Sequence, residues 1–162
     1  MNKVAMQSSD ASTTAKLVLE NHATNPEDLL PVLHAIQDKV GYIPAELVND
    51  IAIAFNLSRA EIHGVISFYH HFRVTPPGKH IIQICRAESC QSMGGNELLA
   101  HAQKTLACDL HEIDANGNFS LEPVYCLGQC ATSPAMMIDD KVYARMTPAR
   151  FDTLIAKARA KQ

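Results

Sequence analysis

The sequence lacks any long apolar run, and its first sixteen residues contain no sustained hydrophobic segment of the kind that a secretory signal requires. We therefore expect a cytoplasmic protein without direct membrane insertion. Tryptophan is absent, and 14 lysines and arginines are scattered among 17 acidic residues, which gives a formal net charge of -3. Because no basic face is present to neutralise phosphates, we do not expect binding to nucleic acid.

Several catalytic signatures are also missing from the chain. We find no glycine-rich phosphate loop, no nucleophile elbow and no convincing acid and base pair, and the eight histidines form no recognisable set of metal ligands. A Cys-x-x-Cys motif, which is typical of dithiol redox centres, is absent. The sequence therefore does not predict a stand-alone enzyme, and we assign no catalytic residue.

The first half of the chain has the pattern of a helical region. Residues 1 to about 12 are polar and predict a frayed tail, and a first short helix follows over about 12–23. Pro26 and Pro31 indicate that the next regular helix begins near residue 29, and Gly41 and Pro44 end it. Two further helices are predicted, one in the PAELVNDIAIAFNL segment and one in SRAEIHGVISFYHHF, where Ser58 and Glu61 have capping-box spacing.

The segment TPPGK at 75–79 combines two prolines with a glycine and predicts a domain boundary. We expect an N-terminal helical bundle over residues 1–75 and a second domain over residues 76–162. HIIQIC predicts a strand that ends at Cys85, and residues 92–107 predict a helix.

The remainder of the second domain alternates turns with short strands. Asn116-Gly117 predicts a turn before a strand that leads into Cys126, AMMIDD and KVYARM predict a hairpin, and Thr147-Pro148 begins a terminal helix. These elements predict a small α/β domain with a helix-covered sheet, so that the chain as a whole is of the α+β class.

Four of the five cysteines fall into two pairs, each near the end of a predicted strand. The pairs are Cys85-x4-Cys90 and Cys126-x3-Cys130. Adjacent strands would bring the two loops together, and four thiolates are the usual protein ligands of an iron–sulfur cluster. A structural zinc site is the strongest alternative, although zinc pairs most often have two intervening residues. A dithiol centre and simple burial also remain open, and Cys108 is interpreted as a small core residue.

Small residues around the two pairs would let backbone amides approach the sulfurs and offset cluster charge. They are Ala87, Ser89, Gly94, Gly95, Gly128, Ala131 and Ser133. Arg86 would lower the electrostatic cost of adding an electron, although an arginine without a special role is an equally good interpretation.

Taken together, these motifs resemble a known family, the thioredoxin-like [2Fe-2S] subunits that accompany the flavin-binding subunit of NADH dehydrogenase, bidirectional hydrogenase and NAD-dependent formate dehydrogenase. The resemblance covers about residues 26–160. It rests on GYIP at 41–44, HGVISFYHHF at 63–72, CRAESC at 85–90 and CLGQCATSPAMMID at 126–139. Many respiratory members have Gly-Thr in the first cysteine loop, where this chain has Arg86, Ala87, Glu88 and Ser89. The RAESCQSMG run is most similar to the gamma subunits of molybdenum-containing, NAD-dependent formate dehydrogenases.

The resemblance implies one [2Fe-2S] cluster ligated by Cys85, Cys90, Cys126 and Cys130 in a thioredoxin-like domain. It also implies a partner subunit that binds FMN and NAD and exchanges electrons with the cluster, and through it a molybdenum-containing catalytic subunit. The equivalent subunit of an NADH:quinone oxidoreductase or an NAD-reducing hydrogenase is an alternative, as is a zinc-stabilised interaction module without redox activity.

Five apolar residues of the helical region have two possible interpretations. They form either the hydrophobic core of the helical region itself or part of a surface that docks on the flavoprotein subunit, as the resemblance implies. These residues are Phe55, Ile66, Phe68, Tyr69 and Phe72.

Overall fold

The computed structural model of the chain describes residues 8–22 and 24–160. The described residues divide into two compact units, an N-terminal unit that ends at Pro76 and a C-terminal unit that begins at Pro77. Within the described part of the chain, no helix combines the length and the apolar character that crossing a membrane would require. The predicted mixture of helices with a sheet is confirmed.

The N-terminal unit consists of helices joined by short turns. Its elements are α1 (Ser8–Glu20), a 3-10 turn (Pro26–Asp28), α2 (Leu29–Val40), a 3-10 turn (Ala45–Leu47), α3 (Val48–Phe55) and α4 (Arg59–Phe68). Helix α2 begins at Leu29, as predicted, which places Pro31 in the first turn, where no amide donor is needed. It ends where Gly41 takes a left-handed φ of 96°.

Two helix boundaries differ from the prediction. Helix α1 (Ser8–Glu20) already includes residues before the predicted start near residue 12, because Ala11, Ala15 and Leu19 recur every four residues and are all buried. The part of the predicted tail before Ser8, and residue 23 at the predicted end of the helix, lie outside the described residues. Helix α4 ends at Phe68, so His70 and His71 belong to a loop.

The buried Gln37 side chain explains why the chain leaves its helical path after α4. Its Nε2 donates to the carbonyl of His71 at 2.8 Å, and its Oε1 accepts from the amide of Arg73 at 2.7 Å. The amide of Ile43 in turn donates to the Arg73 carbonyl at 2.7 Å. These bonds satisfy backbone groups that a continuing helix would have paired internally.

At the start of α4 the predicted capping box is confirmed. The Glu61 amide donates to Ser58 Oγ at 3.2 Å, and the Ser58 amide donates to Glu61 Oε2 at 2.8 Å. The hydrogen bond from the Ser58 amide lowers the pKa of Glu61, and the Ser58 hydroxyl acts in the same direction. Helix α4 therefore begins at a position that its own sequence fixes.

The C-terminal unit is a five-stranded sheet covered by helices that share its hydrophobic core. Its elements are β1 (His80–Cys85), α5 (Glu88–Cys90), a π-helical turn (Gln91–Gly95), α6 (Asn96–Leu106), β2 (Glu112–Ile113), β3 (Phe119–Val124), a 3-10 turn (Cys130–Thr132), β4 (Met136–Ile138), β5 (Lys141–Tyr143) and α7 (Pro148–Arg159). The strand order is β2-β3-β1-β4-β5, with β1 and β3 parallel and the other pairs antiparallel.

The predicted strand at HIIQIC, the hairpin after the second cysteine pair and the terminal helix capped by Thr147 are confirmed. The predicted helix over 92–107 is regular only from Asn96, because Gly94 takes a φ of 91° and interrupts it. The prediction did not include β2, which has two residues and pairs with β3. Strand β3 stops at Val124, opposite the last residue of β1, rather than continuing to Cys126.

Candidate metal centre

The parallel pairing of β1 with β3 brings the two cysteine loops to one edge of the sheet. Cys85 is the last residue of β1, and its partner in register is Val124, two residues before Cys126. The amide of Arg86 donates to the Val124 carbonyl at 2.7 Å, and the amide of Cys85 donates to the Ala135 carbonyl at 3.1 Å. The first loop is therefore fixed to the chain on both sides of the second cysteine pair.

Cys85 and Cys90 are buried, each only 3% exposed. They pack with Ala135 in a small cluster that is separate from the main core and is bordered by Ala87, Val124 and Leu127. Burial raises the pKa of the Cys90 thiol, and the neighbouring Cys85 thiol raises it further. A hydrogen bond from the Ala135 backbone and another from the Ser133 hydroxyl act in the opposite direction. Negative charge on Cys90 thus has donors directed at it.

The second pair, Cys126 and Cys130, has exposed side chains. The amide of Gly128 donates to Cys126 Sγ at 3.3 Å, so a backbone amide approaches a sulfur here, as predicted. Gly128 adopts a φ of 70°, a left-handed conformation that glycine takes without strain. The loop therefore turns back on its own cysteine and presents a donor to it.

The two loops also contact each other through side chains. Ser89, in the first loop, donates from its hydroxyl to the Cys130 carbonyl at 3.0 Å, and it lies 2.6 Å from the Ser133 hydroxyl. Ser89 and Ser133 are two of the small residues expected near the cysteines, but their spacing in the sequence does not predict a contact between them. The two serines are 44 residues apart, and no local pattern relates them.

Four thiols on two joined loops, two from each loop, fit the chemistry of a cluster in which two iron atoms share four cysteine ligands. The buried pair supplies a water-poor side, and the exposed pair supplies an accessible side. Among residues 8–22 and 24–160, no group of three or more His, Cys, Asp or Glu side chains is arranged to hold a single metal ion.

Cys108 lies apart from both pairs. It is buried in the main hydrophobic core of the C-terminal unit, as predicted. Burial raises the pKa of its thiol, and the carboxylates of Asp114, Glu112 and Asp109 raise it further. A thiol with a raised pKa is less often deprotonated, so Cys108 is a poor candidate for a metal ligand.

Three histidines of the C-terminal unit contact carboxylates instead of cysteines. His80 lies 2.9 Å from Asp139, His101 lies 2.7 Å from Asp152, and His111 lies 2.8 Å from Glu122. These pairs tie strands and helices of the unit together.

This chain matches one family model and is similar to subunits of two nicotinamide-linked oxidoreductases. The sequence model of the thioredoxin-like [2Fe-2S] ferredoxin family matches residues 15–159. The chain is 35% identical to NADH-quinone oxidoreductase subunit 2 of Thermus thermophilus, over 82% of this chain and 74% of that subunit. It is 32% identical to the NADP-reducing hydrogenase subunit HndA of Solidesulfovibrio fructosivorans, over 80% of this chain and 75% of that subunit.

Among solved structures, an air-oxidised NAD+-reducing [NiFe]-hydrogenase matches 83% of this chain with a TM-score of 0.69 and 28% sequence identity. The present chain spans only 23% of the hydrogenase chain that it matches. The similarity therefore concerns one part of a larger protein.

Proposed function

Since this chain belongs to the thioredoxin-like [2Fe-2S] ferredoxin family, whose members bind one [2Fe-2S] cluster, we propose that Cys85, Cys90, Cys126 and Cys130 hold that cluster in an electron-transfer subunit of an NAD-linked oxidoreductase. The observation that carries the proposal is the meeting of the two cysteine loops at the edge where β1 and β3 end. When bound, such a cluster accepts and returns one electron at a time.

The protein residues give the proposed centre two different sides. Cys85 and Cys90 are enclosed with Ala135, which keeps water away from one side and makes added charge more costly there. On the other side, Cys126 and Cys130 are exposed, and the exposed side chains of Tyr125 and Met93 belong to the same two loop regions. We assign the side of Cys126 and Cys130 to electron exchange with a partner, because electron transfer requires close approach.

The partner that we propose is a subunit that binds FMN and NAD. Two named relatives are subunits of an NADH-quinone oxidoreductase and of an NADP-reducing hydrogenase, and the matched crystal structure is that of an NAD+-reducing hydrogenase. Each of the three names includes a nicotinamide nucleotide, which is NADH, NADP or NAD+. A flavin would link it to the cluster, because a flavin takes two electrons as a hydride and returns them singly.

Within this class we propose a cytoplasmic NAD-dependent formate dehydrogenase as the host complex, with a molybdenum-containing catalytic subunit reached through the flavoprotein. The support is the RAESCQSMG run around Cys90, which resembles the gamma subunits of such enzymes. An NADH:quinone oxidoreductase and an NAD-reducing hydrogenase are the alternatives.

Affinity purification of the tagged chain from its native cells tests this assignment. We expect the purified complex to contain molybdenum and FMN and to reduce NAD+ when formate is supplied. A complex that contains nickel and oxidises hydrogen, or one that transfers electrons from NADH to a quinone, would replace this assignment with the corresponding alternative.

The N-terminal unit has an exposed aromatic pair, Phe68 and Tyr69, which we propose as a contact for the flavoprotein subunit. Phe55, Ile66 and Phe72 are buried in the core of this unit, so the core interpretation holds for those three residues. Phe68 and Tyr69 remain exposed, with ring centroids 5.1 Å apart in an edge-on arrangement. Aromatic side chains that are held against each other at a surface are typical of interface anchors.

The prediction for this pair is that Phe68→Ser weakens co-purification with the flavoprotein about tenfold, since a buried aromatic anchor typically contributes that much affinity. Ile53→Ser is the matched control, because Ile53 is 73% exposed and Phe68 is 74% exposed. Pull-down with the purified flavoprotein measures the effect. Equal retention of the flavoprotein by both variants would remove Phe68 from the interface.

A further inference from the structure

The second cysteine loop is attached to the first at two backbone positions. The Val124 carbonyl and the Ala135 carbonyl accept hydrogen bonds from backbone amides at the end of β1, at 2.7 Å and 3.1 Å respectively. Cys126 and Cys130 lie between these two attachments, and both are exposed. An exposed stretch of loop opens at a low cost in free energy, so contacts between the attachments contribute to holding it against the first loop.

The Ser89 side chain makes such contacts. Its hydroxyl oxygen lies 3.0 Å from the Cys130 carbonyl and 2.6 Å from the Ser133 hydroxyl, and both partners belong to the second loop. Ser133 Oγ in turn lies 2.7 Å from the Cys130 carbonyl, which is a contact within the second loop. Ser89 directly precedes Cys90 in the sequence. One side chain therefore connects the neighbour of a buried cysteine with the backbone of an exposed one.

The hydrogens of the two serines can be arranged in two ways, and Ser89 joins the loops in both. Each hydroxyl has one hydrogen, and two oxygens 2.6 Å apart require a hydrogen between them. In the first arrangement, Ser89 donates to the Cys130 carbonyl and Ser133 donates to Ser89. In the second arrangement, Ser133 donates to the carbonyl and Ser89 donates to Ser133.

The two arrangements make the two serines unequal. Removal of the Ser89 hydroxyl eliminates the hydrogen bonds of this group that cross between the loops, whichever arrangement is present. Removal of the Ser133 hydroxyl leaves Ser89 able to donate to the Cys130 carbonyl, which lies 3.0 Å away. The connection between the loops therefore depends more on Ser89 than on Ser133.

Resting on the proposed function, we propose that Ser89 is a positioning residue that holds the second cysteine loop against the first, both before the cluster binds and while it is bound. Ser89 acts through the backbone carbonyl of Cys130. Because the loop is held in advance, less conformational entropy is lost when thiolates from both loops ligate one centre. The same contact slows the loop opening through which the cluster is lost.

The rate at which the reconstituted whole chain loses its cluster tests this role, measured as the decay of visible absorption in excess EDTA. We expect Ser89→Ala to lose the cluster about fivefold faster than the wild type, which is the effect of removing one neutral hydrogen bond. Ser133→Ala should change the rate by about twofold or less, because Ser89 still donates to the Cys130 carbonyl. Ser89→Thr keeps the hydroxyl and should restore a rate near that of the wild type.

Ser92→Ala is the matched control. The Ser92 hydroxyl donates to the Ser89 carbonyl at 3.0 Å, within the first loop, so this variant removes a serine hydroxyl without removing a contact to the second loop. It should lose the cluster at the wild-type rate. Loss as fast as in Ser89→Ala would show that the contact between the loops is not the cause, and would overturn the proposal.

Hydrogen exchange in the cluster-free whole chain gives a measurement that does not depend on loading. In Ser89→Ala, the amides of Gly128 and Thr132 should exchange about fivefold faster, whereas the β1 amides keep their wild-type rates. Unchanged exchange of these loop amides would overturn the proposal even if Ser89→Ala takes up no cluster.

The remaining outcomes separate this role from the proposed function. A loaded Ser89→Ala chain that keeps its cluster as long as the wild type would overturn the role of Ser89 while leaving the proposed function intact. A larger effect in Ser133→Ala than in Ser89→Ala would do the same. A wild-type chain that binds no iron and sulfide would instead refute the proposed function, and hydrogen exchange would still test whether Ser89 holds the loop.

Discussion

Replacement of Cys126 by alanine is expected to abolish binding of the [2Fe-2S] cluster, whereas replacement of Cys108 is expected to leave it in place. If burial alone decided the effect, replacement of the buried Cys108 would be the more damaging of the two substitutions. Cys126 is exposed, and an exposed thiol with a purely structural role contributes little to stability. Cys108 is 7% exposed within the main core, where removal of its sulfur costs about 1 kcal/mol of unfolding free energy.

The two substitutions thus separate ligation from packing. Iron and sulfide content after anaerobic reconstitution, together with the visible absorption spectrum, measures cluster binding, and hydrogen exchange of the β1 and α6 amides monitors the fold of the C-terminal unit. Cys126→Ala should keep the exchange pattern and lose iron. Full iron content in Cys126→Ala would show that this residue is not a ligand.

The second large effect is expected at Gly95, immediately before α6. A Cβ placed on Gly95 would lie 2.5 Å from the carbonyl oxygen of Cys90 and 2.9 Å from its carbonyl carbon. Both are backbone atoms of the first cysteine loop, so the loop itself must move to relieve the clash. The φ of Gly95 is -61°, which alanine adopts readily, and the cost therefore comes from space rather than from backbone strain.

Gly95→Ala is expected to destabilise the C-terminal unit by ~1–3 kcal/mol, as overpacking does, and to reduce cluster loading by displacing Cys90. Gly64→Ala in α4 is the matched control, because a Cβ there meets nothing within 4 Å. Removing a helical glycine should stabilise the N-terminal unit by about 0.5–1 kcal/mol. Hydrogen exchange in α6 and in α4 measures the two effects separately. Normal loading of Gly95→Ala would show that the loop near Cys90 tolerates displacement.

Sequence patterns predicted the elements whose signals are local. The capping box of Ser58 and Glu61, the glycine end of α2, the strand that ends at Cys85 and the Thr147 cap of α7 all depend on residues that lie within a few positions of each other. The strand order did not follow from these signals, because β1 pairs with a strand 39 positions later and with β4 still farther along the chain. Register depends on which face of each strand is buried and on turn geometry, and no tight turn joins β1 to β3.

At the candidate site, spacing grouped the four cysteines but could not distinguish their environments. That Cys90 is buried and Cys126 exposed follows from where β3 ends and from how the second loop turns at Gly128. The contact between Ser89 and Ser133 likewise could not be predicted from the sequence, because it forms only when β1 and β3 are aligned. Tertiary packing likewise separates Phe55, Ile66 and Phe72, which are buried, from Phe68 and Tyr69, which are exposed, although all five are apolar.

The most direct measurement is the determination of iron, acid-labile sulfide and zinc in the chain purified without oxygen. We predict two irons and two sulfides per chain, together with an electron paramagnetic resonance signal that develops on reduction. A colourless protein that contains one zinc and no sulfide would contradict the assignment of Cys85, Cys90, Cys126 and Cys130 to a [2Fe-2S] cluster.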